Sequence, residues 1–99
     1  MIRHVVFFRF IKNHILSLDE LCTVAIAHLN ELSGLSCIES MAVHKNIMYS
    51  PYANYDLMID CSFQSFGQLQ QYQQHQLHTA FVQWLQTVIS DRACVDYQV

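Results

Sequence analysis

The side chains best equipped for chemistry in this chain stand in Tyr72-Gln73-Gln74-His75-Gln76-Leu77-His78, with a further histidine, His4, in the first apolar run. Residues three apart on a helix lie on one face, so the spacing predicts the imidazoles of His75 and His78 side by side. Histidine gives or takes a proton near neutral pH, and Tyr72, one turn earlier, adds a phenol that donates or accepts a hydrogen bond. In a partly apolar pocket His78 would be kept as a neutral base, able to take a proton within about 3 Å. Tyr72 would hold a carbonyl oxygen as charge develops on it. The cluster suggests a small-molecule pocket. The imidazoles of His4, His75 and His78 also suit zinc, nickel or copper. An i, i+3 pair is a weaker signal than H-E-x-x-H, and no nearby acidic residue completes a site, so no metal is expected.

Those residues need a scaffold, and its elements can be read from the apolar period. Residues 2–11 are β-branched and aromatic and predict a strand. One face carries His4, Val6, Phe8 and Phe10; the other carries Arg3, Val5, Phe7, Arg9 and Ile11. Ser17-Leu18-Asp19-Glu20 is a capping box, flanked by Leu16 and Leu21 at the positions of a hydrophobic staple. The apolar residues Leu18, Leu21, Cys22, Ala25, Leu29 and Leu32 then recur at helical spacing, and Gly34 is placed to cap the helix end. Residues 37–45 predict a second strand, and Ser50-Pro51 breaks pairing in a loop over 46–53. Residues 54–63 alternate, with Tyr55, Leu57, Ile59, Cys61 and Phe63 on one face.

Ser65-Phe66-Gly67-Gln68 is a second capping box, with glutamine in place of glutamate. It predicts a helical region to about residue 89, whose later part carries a core stripe of Leu77, Phe81, Trp84, Leu85 and Val88. Residues 92–98 predict a last strand with Val95 and Tyr97 on one side. Tyr49, Pro51 and Tyr52 are expected as a flap at the pocket mouth, and His14, His28 and His44 as solvent-exposed.

Composition narrows the function classes. The 99 residues make one domain that is 53% hydrophobic and only 13% charged, more apolar surface than a domain of this size readily hides, which points to an oligomer. The net charge is −3 and the five Lys and Arg residues form no run, which argues against nucleic-acid binding. No apolar run approaches the roughly 20 residues of a membrane span, and the first residues lack a signal-peptide layout, so no membrane partner and a cytoplasmic location are expected. Cys22, Cys37, Cys61 and Cys94 form no C-x-x-C pair and read as small buried hydrophobes.

The β-α-β-β-α-β order with right-handed crossovers gives an α+β, ferredoxin-like domain: a four-stranded antiparallel sheet with its helices on one face. Val5, Phe7 and Met58 would lie on the uncovered face among Arg3, Arg9, Asp56 and Asp60. A second copy facing that surface would cover it, with Arg and Asp pairing across the contact.

The chain resembles the stress-responsive A/B-barrel domain family across almost its whole length. The resemblance rests on Ile2-Arg3-His4-Val5-Val6, Tyr55-Asp56-Leu57, Phe63-Gln64-Ser65, the Tyr72–His78 segment with Phe81, and Val95-Asp96-Tyr97. It implies a homodimeric α+β barrel with a pocket between sheet and helices. In the pocket region the chain resembles a plant polyketide cyclase of that family, olivetolic acid cyclase. That likeness implies His78 as catalytic acid/base and Tyr72 as its partner at the carbonyl, in a cofactor-free enolisation with aldol- or Claisen-type closure. It adds His4, His75, Val6, Phe8, Ile59 and Phe81 as substrate-binding positions around a small, largely apolar molecule. Many members have no assigned chemistry, so a non-enzymatic, stress-associated interaction module with structural histidines is the alternative. The family commonly has proline after the first histidine of the pair, where this chain has Gln76; without it the helix is expected to run straight through.

Overall fold

The computed structural model describes all residues, 1–99. Its elements are β1 (Ile2–Phe10), α1 (Leu18–Leu32), β2 (Ser40–Lys45), β3 (Leu57–Phe63), α2 (Phe66–Gln74), α3 (Gln76–Leu85) and β4 (Ile89–Gln98). The strands form one antiparallel sheet in the order β2-β3-β1-β4, the ferredoxin-like arrangement.

β1 sits in the middle of the sheet because its inner face, His4 apart, is apolar. Val6, Phe8 and Phe10 are buried there, and Leu57, Ile59, Cys61 and Phe63 of β3 continue the same layer. The layer packs against Leu21, Cys22, Ala25, Leu29 and Leu32 of α1, a single stripe produced by the 3.6-residue period. The first capping box is complete: the Ser17 hydroxyl accepts from the Glu20 amide, and the Glu20 carboxylate accepts from the Ser17 amide, each at 3.1 Å. The second is half made. Ser65 accepts from the Gln68 amide, but the Gln68 side chain accepts from the Gln64 amide, one residue further back. Ser33, in right-handed helical conformation, caps α1 instead of Gly34, and neither glycine has positive φ.

The expected unbroken helix over residues 66–89 is two helices, and the reason is phase. Tyr72 and Phe81 are both buried. At about 100° per residue, the nine-residue step from one to the other would put them on opposite faces of one continuous helix. Both can face the sheet only if the helix restarts. It does so at His75, whose backbone is extended at φ −68° and ψ 143°. His75 closes α2 through its N–H to the Tyr72 carbonyl at 3.2 Å, and opens α3 by accepting the Leu77 N–H on Nδ1 at 3.1 Å. Proline is therefore unnecessary for the break. Leu77, in the first turn of α3, is exposed rather than part of the core stripe.

β4 is an edge strand, and the helical layer does not reach over it; nearly all its residues are exposed. Cys94 is exposed for that reason, in contrast to buried Cys22 and Cys61. On the outer sheet face Arg3 pairs with Asp60 of the same chain, at 2.6 Å, and Arg9 lies 3.7 Å from Asp91. Asp56 accepts the Phe10 N–H at 2.9 Å. The carboxylates expected to meet arginines across a contact between copies are thus already engaged within one chain. Val95 and Tyr97 on that face stay exposed, and Val5, Phe7 and Met58 half-buried.

Candidate functional site

A cavity of about 300 Å³ lies between the inner sheet face and α3. β1 contributes His4, Val6 and Phe8, β3 contributes Ile59, α2 contributes Tyr72, α3 contributes His78, Phe81, Val82 and Leu85, and β4 contributes Arg92. The break at His75 is what brings Tyr72 and His78 together: their ring centroids are 4.6 Å apart, edge to face. The His4 ring is 6.2 Å from Tyr72, centroid to centroid, so the phenol has two imidazoles as neighbours.

His78 Nδ1 lies 3.1 Å from the Gln73 carbonyl. A carbonyl only accepts, so Nδ1 carries the proton and Nε2 has the free lone pair. Burial lowers the His78 pKa; the Gln73 bond opposes this, and His4 and Arg92 add to it. His78 is therefore a neutral imidazole at pH 7. Burial also pushes the Tyr72 phenol well above its ordinary value, so it stays a hydroxyl. That hydroxyl bonds no group of the protein, yet no buried polar side-chain atom is orphaned. It consequently opens onto the cavity.

His4 is 3% exposed, and its Nδ1 is hydrogen-bonded to the Asp96 carboxylate, which faces it across the β1–β4 register. The carboxylate accepts the Nδ1–H and fixes the orientation of the ring. An acidic residue does therefore stand beside the site, although none is near it in the sequence. Cys94 Sγ lies 3.6 Å from His4 Nδ1 and 3.7 Å from an Asp96 oxygen, and these three donors fall within 4.8 Å of one another. That set is compact enough to surround a cation, but Nδ1 and the carboxylate already bond each other. Desolvation and the Asp96 charge raise the Cys94 pKa, which leaves it a thiol rather than a nucleophilic thiolate.

The remaining sequence-based expectations divide. His75 is exposed, does not line the cavity and serves as the junction cap, so it shares no face with His78. Arg92 and Asp96 were not among the expected site residues. Their signal was the alternation of Arg92, Cys94 and Asp96 opposite Val95 and Tyr97, which has meaning only once β4 is registered against β1. The tyrosine loop is not at this mouth: Tyr52 borders a separate recess of about 360 Å³ with Phe7, His44, Tyr55 and Met58. His28 is half-buried, its ring 5.3 Å from Trp84 and 5.6 Å from Phe81, rather than free in solvent. No helix is long and apolar enough to cross a membrane.

Comparison with known proteins agrees with this architecture. No curated protein matches the sequence. Among solved structures, a dimeric ferredoxin-like protein of unknown function from Thermobifida fusca superposes with a TM-score of 0.83 at 22% identity, over 99% of this chain and 90% of that one. A protein from Arabidopsis thaliana gives 0.79 at 15% identity, over 100% and 95% of the two chains. A ferredoxin-like member of the same domain family from Mesorhizobium loti gives 0.77 at 25% identity, over 99% and 95%. The profile of the stress responsive A/B barrel domain matches residues 2–99, and the chain belongs to that family.

Proposed function

We propose that the protein is a homodimer that binds a small, largely apolar organic molecule in the cavity between β1 and α3, and that it moves a proton on a carbon next to the ligand's carbonyl without a cofactor. The observation that carries this reading is the pairing of a neutral His78 with a neutral, unpartnered Tyr72 hydroxyl, 4.6 Å apart between ring centroids, on the wall of an apolar cavity. His78 Nε2 takes the α-proton, and Tyr72 donates to the carbonyl oxygen as it gains charge. His4, oriented by Asp96, supplies a second imidazole with its ring centroid 6.2 Å from that of the phenol. Val6, Phe8, Ile59 and Phe81 hold the apolar body and exclude water. The homodimer is supported by the exposed apolar side chains of the outer sheet face, Val95 at 58% and Tyr97 at 47%, and by the dimeric state given for similar structures.

The test is proton exchange in deuterated water. A panel of β-keto thioesters is followed by NMR for exchange at the α-carbon. Enzyme-dependent exchange is expected, abolished in His78→Ala and reduced in Tyr72→Phe. Exchange that persists unchanged in folded His78→Ala would remove the catalytic assignment. Sedimentation at micromolar concentration tests the dimer, and a monomer contradicts it.

A further inference from the structure

The cavity is apolar on most of its wall, but it carries one full positive charge. Arg92 lies on the inner sheet face, registered against Phe8, and its side chain lines the cavity with His4, Tyr72 and His78. Of the five Lys and Arg residues, Arg3, Arg9 and Lys45 have carboxylate partners. Arg92 has none: its nearest acidic neighbour on the inner face, Asp96, is bonded to His4. No other cation lines this cavity. The guanidinium also stands close enough to act on both reactive groups: its field partly opposes the rise that burial gives the Tyr72 pKa and adds to the fall that burial gives that of His78. A planar five-donor group, always charged, takes a carboxylate or a phosphate in two parallel hydrogen bonds, and a lone cation at the edge of an apolar cavity is matched by the singly charged carboxylate.

We propose that the ligand is an amphiphilic carboxylate, whose anionic end is held by Arg92 at the β4 side while its apolar body fills the space between Val6, Phe8, Phe81 and Leu85. This rests on the reading of the cavity as a small-molecule site and narrows it. The ligand is not apolar throughout. Arg92 is a binding and specificity residue, and its place beside Tyr72 sets the carboxylate end of the ligand next to the phenol. The neutral His78 adds no negative charge, and the carboxylate of Asp96 is engaged by His4.

The experiment is a backbone-amide NMR titration of the full chain with octanoate and with octanamide, a neutral isostere of the same length. Octanoate is expected to bind at least about tenfold more tightly, a difference of about 1.4 kcal/mol. That is the low end for a charged hydrogen bond, as suits a partly solvated guanidinium. The shifted amides should include those of Val6, Phe81 and Arg92. In Arg92→Gln the two ligands should bind within about twofold of each other, and Arg92→Lys should recover part of the preference. Arg92 is exposed, and its side chain touches Cys94 but no carboxylate, so neither substitution threatens the fold. Equal affinities in the unaltered protein, with shifts at Val6 and Phe81, would overturn the carboxylate proposal and leave the cavity reading standing. A preference that survives in Arg92→Gln would overturn the role of Arg92. No shift at these amides with hexanoate, octanoate, decanoate or their amides would overturn both.

Discussion

Gln76→Pro decides whether the break at His75 is real, because the sign of its effect depends on it. The structure puts residue 76 at the first position of α3, where no carbonyl accepts its N–H. Proline loses nothing there and is preorganised for the helix. The residue before a proline must be extended, and His75 already is, with ψ at 143°. Proline then restricts mainly the unfolded chain, which stabilises by about 0.4–1 kcal/mol. For a domain of this size that is a rise in melting temperature of roughly 2–8 °C. Were residues 66–85 one helix, position 76 would be interior, and proline would cost about 3 kcal/mol or more. The two cases differ by about 4 kcal/mol, far beyond the error of a denaturation curve. Urea unfolding followed by circular dichroism, at one fixed protein concentration, gives the answer. Gln83→Pro is the internal standard, since Gln83 is exposed within α3 and should suffer the full interior penalty. A loss of about 2 kcal/mol or more for Gln76→Pro would refute the junction, and with it the placement of His78 against Tyr72.

Three further perturbations test the site and its support. Tyr72→Phe should leave stability within about 0.5 kcal/mol, because the hydroxyl has no protein partner to lose; a larger loss in urea unfolding would mean that the hydroxyl is structural. The folded-state pKa of His78 lies below its unfolded value of about 6.5, so the unfolded chain binds more protons in the window below that pH. The stability tied to His78 should therefore be present above about pH 6.5 and fall as pH drops through the folded pKa. His78→Gln should flatten that part of the stability–pH curve, and an unaltered slope would contradict the burial of the ring. Phe63→Ala removes a side chain that is 0% exposed and packs 5.3 Å from the Tyr72 ring, centroid to centroid. It should cost about 3–5 kcal/mol in urea unfolding, and a loss under 1 kcal/mol would show that the space beneath Tyr72 is not close-packed.

Local signals carried most of the fold. Alternation in residues 2–10 and 57–63, the complete capping box at Ser17 and the apolar stripe of α1 each depend on neighbours a few residues apart, and a linear sequence displays such periods directly. The order of elements then left a ferredoxin-like sheet as the expected solution, and His4, Val6, Phe8, Ile59, Tyr72, His78 and Phe81 do lie around one cavity. The helix break was present as a change of phase between Leu69–Tyr72 and Phe81–Leu85, but it was hidden by the missing proline and the run of glutamines.

What the tertiary structure alone decided concerns pairs distant in the chain. His4 and Asp96 are 92 residues apart, and only the β1–β4 register makes them partners. Arg92 is one polar residue among many until the sheet turns it toward the cavity and the ion pairs elsewhere leave it alone. The two histidines that looked equivalent separated because a backbone break gave His75 the work of capping and His78 the wall of the cavity. Spacing along a chain fixes which residues can share a face; where the chain stops being a helix, and what lies across from it, depends on burial that the whole fold must satisfy together.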